Sequence, residues 1–125
     1  MNIVLWILQV LLALAFLAHG WMFLFPPPEI AVLMNASMPR WFQLFLGVAE
    51  VAAGIGLILP GLTRILPQLV AWAADGIVII MVSATVWHFV RGEIGSGFVT
   101  LALLAMATLV AYQRHRVRPI APRHS

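Results

Sequence analysis

The segment from Trp41 to Pro60, WFQLFLGVAEVAAGIGLILP, constrains the fold more than any other part of the chain. Its only charged residue is a carboxylic acid, Glu50, near its centre. A helix of roughly 20 residues rises about 30 Å, which matches the hydrocarbon thickness of a bilayer. We therefore expect this segment to cross a membrane as a helix that carries an acid at mid-depth.

One face of this predicted helix is small and polar, whereas the opposite face is apolar. The first face follows the i, i+3/i+4, i+7 spacing and comprises Gln43, Leu46, Gly47, Glu50, Ala53, Gly54 and Leu57. The opposite face comprises Leu44, Val48, Val51, Ile55 and Ile58. Glycine lets helices approach closely, and a buried acid needs a polar partner. We therefore expect Glu50 to face neighbouring helices rather than lipid.

The composition places the whole chain in the same class as this segment. Of its 125 residues, 63% are hydrophobic and only 9% are charged. A soluble domain carries roughly a quarter charged residues. The apolar runs are continuous, whereas a membrane β-barrel shows short alternating segments. The sequence therefore predicts an all-α integral membrane protein with a single domain.

Turn-forming residues divide the chain into four predicted crossings. They span about residues 3–25, 41–59, 64–90 and 98–113, and a basic tail follows at 114–125. Prolines 26–28 end the first crossing, Pro60-Gly61 ends the second, and Thr63 is suited to cap the third. Short links predict an antiparallel four-helix bundle. The connector at 29–40 is compatible with a short interfacial helix or with an ordered loop.

The arginines predict the orientation of the bundle. Four crossings put both termini and the 60–64 turn on one side, with Arg64, Arg114, Arg116, Arg118 and Arg123; Arg40 and Arg91 lie on the other. The excess of basic residues predicts cytoplasmic termini. Because the basic tail directly follows an apolar helix, anionic lipid is a better partner for it than nucleic acid. The chain has no Cys, so thiol chemistry by its own side chains is excluded.

Five polar residues within the crossings are candidate site residues: Glu50, His19, Asp75, Gln9 and Gln43. Their depths follow from a rise of 1.5 Å per residue: His19 and Glu50 lie roughly 9 and 14 Å below the outer boundary, which predicts a hydrogen bond or ion pair between them. Asp75 and Gln9 lie roughly 22–24 Å down, so we expect Asp75 to meet Gln9 or Tyr112.

These residues serve either helix packing or function. Buried polar groups often join helices, but Gln would do so without the cost of a buried charge, which favours a functional role for Glu50 as a ligand-binding or proton-handling group. For His19 neither role is favoured, and Asp75 fits a structural role better. The sequence has no nucleophilic triad, phosphate loop, dinucleotide fingerprint or metal-ligand spacing. Catalysis by this chain alone is therefore not indicated, although the pattern leaves it open.

Three elements of the sequence resemble the DoxX-like family of small four-helix membrane proteins. They are Leu46-Gly47-Val48-Ala49-Glu50 with Gly54, Gly56 and Leu59-Pro60; the run Phe16–Gly20; and Ser83-Ala84 with His88, Arg91 and Gly92. Phe23 stands where the family often has Lys, and Asp75 where it is usually apolar. The resemblance implies a bacterial inner-membrane protein. Some relatives are associated with quinone-linked sulfur oxidation or with membrane redox complexes.

The polar residues within the crossings and the family resemblance together lead to three hypotheses. The first is an accessory subunit that holds a small apolar or quinone-like molecule beside Glu50 and His19 and serves a membrane redox partner, either singly or as a homo-oligomer. No cofactor is evident from the chain itself, so quinone enters through this hypothesis alone. The second is a structural or assembly subunit without ligand chemistry. The third, less favoured because no repeat is evident, is a small proton-coupled transporter that uses Glu50 and Asp75.

Overall fold

The computed structural model describes residues 2–122, over which the chain forms five α-helices and one terminal π-helical turn. Their bounds are α1 Asn2–Leu24, α2 Pro28–Ser37, α3 Arg40–Thr63, α4 Leu69–Val90, α5 Ile94–Tyr112 and the π-helical turn Gln113–Val117. The helices α1, α3, α4 and α5 are each long and apolar enough to cross a membrane. The predicted all-helical fold with four spans is confirmed. Arg123 of the predicted basic tail lies outside the described residues.

Close contacts show that the long helices run antiparallel to their neighbours in sequence. Gly47 of α3 lies against Gly20 of α1, and Gly54, further along α3, lies against Ala13, which is earlier in α1. The two helices therefore run in opposite directions. On the other side of the bundle, Thr85 of α4 hydrogen-bonds Thr100 of α5. Packing of α3 on α4 and of α1 on α5 completes the ring. The bundle is therefore up-down-up-down.

The interior and the exterior of the bundle are both apolar. All four long helices contribute to the core, whose buried members include Leu12, Phe16, Leu57, Ala74, Ile77, Met81, Ala107 and Val110. The exterior exposes large side chains such as Val48, Ile55, Ile79, Val86 and Leu101. A water-soluble bundle would cover this exterior with polar residues. The outer surface is therefore suited to lipid.

The connector between the first two crossings forms a short helix, α2, which is one of the two structures that its sequence left open. Its buried residue is Met34, and Gln43 of α3 holds the helix in place by donating hydrogen bonds to Asn35 Oδ1 (2.9 Å) and to the Met38 carbonyl (3.0 Å). Arg40 donates to the carbonyls of Phe23 and Leu24, at 2.9 and 2.7 Å. These carbonyls would otherwise lack partners at the end of α1. Polar side chains thus fasten α1, α2 and α3 together.

The end of α3 differs from the expectation. Pro60 was predicted to end the second crossing, but it lies inside α3, which continues to Thr63. A proline at this position removes the backbone hydrogen bond to the carbonyl four residues earlier, yet α3 continues for three more residues despite that cost. Thr63 ends α3 by donating to the Leu59 carbonyl at 3.0 Å, so its predicted role as the cap of the next helix is wrong. The turn itself falls at Arg64, whose backbone is left-handed, and α4 begins at Leu69 instead of residue 64.

The fourth crossing is longer than predicted at both ends. It begins at Ile94 instead of residue 98, because Gly97 bonds back to the Glu93 carbonyl and lies against Phe89. A side chain at residue 97 would collide with the Phe89 ring at 2.7 Å. At its other end the helix widens into the π-helical turn and continues to Val117. Residues predicted to form a basic tail are therefore partly helical.

The link between α4 and α5 provides a pH-dependent contact. Glu93 Oε1 lies 2.8 Å from His88 Nδ1 and 3.6 Å from Arg91 Nε. The hydrogen bond from His88 holds the pKa of Glu93 below its usual value of 4.5, and the Arg91 charge acts in the same direction. Since this carboxyl has a lower pKa in the folded protein, we expect the contact at neutral pH and its loss as the pH falls through that lowered pKa. An NMR titration of the Glu93 carboxyl measures it, and an unshifted midpoint would contradict the contact.

Candidate functional site

The predicted contact between His19 and Glu50 is present. Nδ1 of His19 lies 2.7 Å from Oε1 of Glu50, and this contact joins α1 to α3 within the membrane-spanning part of the bundle. The Glu50 side chain is only 3% exposed, whereas the His19 side chain is 51% exposed. The acid therefore faces the neighbouring helix as expected, and the histidine lies between it and the outside of the bundle.

Two glycines on α3 and one on α1 explain how the pair can form. Gly47 and Gly54 lie one turn to either side of Glu50, and Gly20 follows His19. A side chain added at Gly20 would approach the Gly47 carbonyl oxygen at 2.9 Å, and one at Gly54 would approach Leu17 at 2.8 Å. The two backbones are thus close enough for a short imidazole to reach a carboxylate. The glycine-and-acid motif of the sequence has this physical basis.

The exposed side of His19 presents the imidazole ring next to an aromatic residue. The ring meets Phe23 edge to face, with centroids 4.7 Å apart. Within residues 2–122, the only hydrogen bond of the His19 ring is the one through Nδ1 to Glu50. Its Nε2 is therefore free to bond a polar atom that arrives from the lipid side.

Asp75 forms a different contact from the one predicted. It does not bond Gln9 or Tyr112; its Oδ2 lies 2.7 Å from Nε2 of His115 in the π-helical turn. The expectation was wrong because it ended the fourth helix before His115. The pair lines a cavity of about 590 Å³ between α4 and α5, and both side chains are partly exposed there. Asp75 is therefore a surface residue of the bundle and not part of its core.

Gln9 binds an arginine instead of an acid. Its Nε2 donates to the Leu57 carbonyl, and its Oε1 accepts from Arg114 Nε, both at 2.8 Å. Arg114 also donates to Asn2 Oδ1 at 2.8 Å, and its guanidinium lies 5.7 Å from the centre of the Trp6 ring. Arg114 is only 4% exposed, so it lies inside the bundle although it was predicted to belong to the basic tail. We call Gln9, Arg114 and Asn2 the arginine cluster.

The five predicted site residues therefore fall into four separate groups. Glu50 and His19 form one pair, Asp75 pairs with His115, Gln9 belongs to the arginine cluster, and Gln43 fastens α2. The sequence analysis missed Arg114 and His115 as partners. One signal was available, because Arg114 continues the buried stripe of Ala107, Val110 and Ala111 at helical spacing.

These features define a multi-pass helical membrane protein in which a buried carboxylate contacts a half-exposed histidine where its first two spans meet. The chain belongs to the DoxX-like family, whose model matches residues 7–110. The match includes Gln9, His19, Gln43, Glu50 and Asp75 and ends before the π-helical turn. A comparison with curated proteins and one with solved structures each found no significant match.

Proposed function

We propose that this protein is an accessory subunit of the bacterial inner membrane that binds a quinone-like molecule at His19 and Glu50. The observation that carries the proposal is the unequal burial of the pair. The carboxylate is enclosed while half of the imidazole surface faces outward. A ligand dissolved in the bilayer can therefore reach the histidine from the side without opening the bundle.

The residues present fit the head of such a ligand. Quinone oxygens accept hydrogen bonds, and the protonated imidazole of His19 can donate one from Nε2 while its Nδ1–H donates to Glu50. A carboxylate behind an imidazole fixes the orientation of the ring and stabilises its protonated form. Phe23, whose ring meets the imidazole edge to face, supplies apolar surface next to the histidine. When bound, a quinone carries electrons and protons between membrane proteins. The role assigned to this chain is to orient the ring and to hold a proton at His19.

A binding experiment tests the proposal. We expect a short-chain quinone, decyl-ubiquinone, to quench the tryptophan fluorescence of the purified protein. His19→Phe removes the donor and should weaken binding about tenfold, which is the effect of one lost hydrogen bond of moderate strength. Glu50→Gln keeps a polar partner but removes the acid, so we expect a smaller loss and a weaker dependence of binding on pH.

His88→Phe is the matched control, because His88 is also near the outer end of the bundle but bonds Glu93. It should bind the quinone as the unmodified protein does. Equal affinity in the His19 and His88 variants would contradict the proposal.

Purification in mild detergent, with identification of co-purifying proteins and quinones, tests the redox partner. The mass of the native complex tests whether the chain is a homo-oligomer.

A structural or assembly role is the second candidate, and one observation favours it. Gly20, Gly47 and Gly54 are closely packed around the pair, and the cavity of about 590 Å³ lies at Asp75 instead of Glu50. In this case His19 and Glu50 serve only to join α1 to α3. The His19→Phe variant would then lose thermal stability in detergent, and its quinone affinity would equal that of the unmodified protein.

A further inference from the structure

A groove on the outside of the bundle has the shape and the polarity of a site for an amphiphile. Its polar end is the cavity of about 590 Å³ between α4 and α5, lined by Asp75, Tyr112, His115 and Arg116 among others. This end lies where α4 begins and α5 ends, on the side of the bundle that carries the chain termini. We call it the headgroup end of the α4–α5 groove.

An apolar cavity continues the groove along α5. It measures about 550 Å³, is lined by Leu101, Leu104 and Leu109 among others, and shares Thr108 and Tyr112 with the headgroup end. From Tyr112 to Leu101 the helix rises roughly 16 Å. A polar end at the membrane boundary therefore passes into an apolar channel that follows the direction of a lipid chain.

The polar groups of the headgroup end are only partly used by the protein. Asp75 bonds His115 through Oδ2, which leaves Oδ1 without a hydrogen bond inside residues 2–122. Over the same residues, Arg116 forms no ion pair, and the Tyr112 hydroxyl forms no hydrogen bond. A negatively charged acceptor, Asp75, and a cationic donor, Arg116, therefore both line the headgroup end of the groove.

We propose that the α4–α5 groove binds a phospholipid whose headgroup carries a primary amine, such as phosphatidylethanolamine. Its ammonium group bonds Asp75, its phosphate bonds Arg116, and an acyl chain lies along Leu101 and Leu104. The charges match because the lipid headgroup has one cation and one anion, as the groove does. An anionic lipid without an amine would place no cation at Asp75, so its hydrogen bond to the carboxylate would lack the charge assistance of an ammonium group. A choline headgroup has no N–H to donate.

Native mass spectrometry of the delipidated protein in detergent tests the proposal. The lipids are phosphatidylethanolamine, phosphatidylcholine and phosphatidylglycerol with identical acyl chains. We expect the amine lipid to bind about tenfold more tightly than the choline lipid, since one charge-assisted hydrogen bond separates them. Asp75→Asn should reduce the amine lipid to the level of the choline lipid. Glu29→Gln, at an exposed acid on α2, should leave the preference unchanged.

Four further measurements complete the test. Arg116→Gln should weaken all three lipids, whereas Arg118→Gln, an exposed arginine outside the groove, should weaken none. Thr108→Trp fills the region that the two cavities share and should abolish binding without altering a charge. Soluble phosphoethanolamine should fail to displace the lipid, because it has no chain for the apolar end.

Several results would overturn the proposal. They are equal binding of the amine and choline lipids, tightest binding of phosphatidylglycerol, and equal behaviour of the Asp75 and Glu29 variants. Displacement by phosphoethanolamine would assign the site to a soluble amine phosphate instead of a lipid. Circular dichroism confirms that each variant is folded. If Asp75→Asn does not fold, Thr108→Trp decides the outcome.

Discussion

Replacing Gln9 by leucine should lower the free energy of unfolding by about 3 kcal/mol. The substitution nearly conserves volume, but it removes the acceptor for Arg114 Nε and the donor to the Leu57 carbonyl. A hydrogen bond to a charged group contributes about 1.5–3 kcal/mol, and a buried polar group without a partner costs about 1–3 kcal/mol. Unfolding in mixed micelles, titrated with sodium dodecyl sulfate, measures the loss.

A double variant tests whether the arginine cluster is the cause. Gln9→Leu combined with Arg114→Met removes both partners together, so no buried cation is left without its acceptor. We expect it to cost less than Gln9→Leu alone. Gln68→Leu is the control, since Gln68 is exposed and its side chain makes no capping hydrogen bond. Equal losses for Gln9→Leu and Gln68→Leu would mean that the cluster contributes no stability.

Replacing Gly20 by alanine should cost about 2 kcal/mol, within the range measured for overpacked cores. The new methyl group would lie 2.9 Å from the Gly47 carbonyl oxygen and 2.9 Å from Val51 Cγ2. A backbone carbonyl cannot rotate away as a flexible side chain can, so α1 and α3 must separate. The separation should also lengthen the contact between His19 and Glu50, which an NMR titration of His19 can follow.

Gly76 provides the matched control for this change. It also lies inside a spanning helix, α4, but a methyl group there would meet nothing within 4 Å. Because alanine is the better helix former, Gly76→Ala should leave the free energy of unfolding unchanged or raise it by up to about 1 kcal/mol. If Gly20→Ala is as well tolerated, the close approach of α1 and α3 is not what holds the pair together.

The contact between α1 and α3 could be predicted from the sequence because it depends on helical geometry alone. A constant rise per residue placed His19 and Glu50 at similar depths, and the glycine spacing identified the face of α3 that meets a neighbour. The number of spans followed from hydrophobicity in the same way. The function of the pair could not be predicted, because the same residues suit ligand binding and helix packing.

The partners of Asp75 and Gln9 could not be predicted, because they depend on where the last helix ends. The basic residues from Arg114 onwards predicted a tail beyond the last helix, yet the helix continues there as a π-helical turn. Pro60 was misjudged for a related reason, since a strong turn signal was outweighed by the continuing contacts of α3, where Gly61 is buried. In both cases packing against other helices overrode the local preference.

Two consecutive residues of the π-helical turn bond different helices. Arg114 bonds α1 and His115 bonds α4, so this one turn is held on two sides of the bundle. Because the two residues are adjacent, a rotation of the turn that breaks one contact also disturbs the other. A ligand that displaces His115 from Asp75 should therefore also strain the contact of Arg114 with α1, where the first and last spans meet.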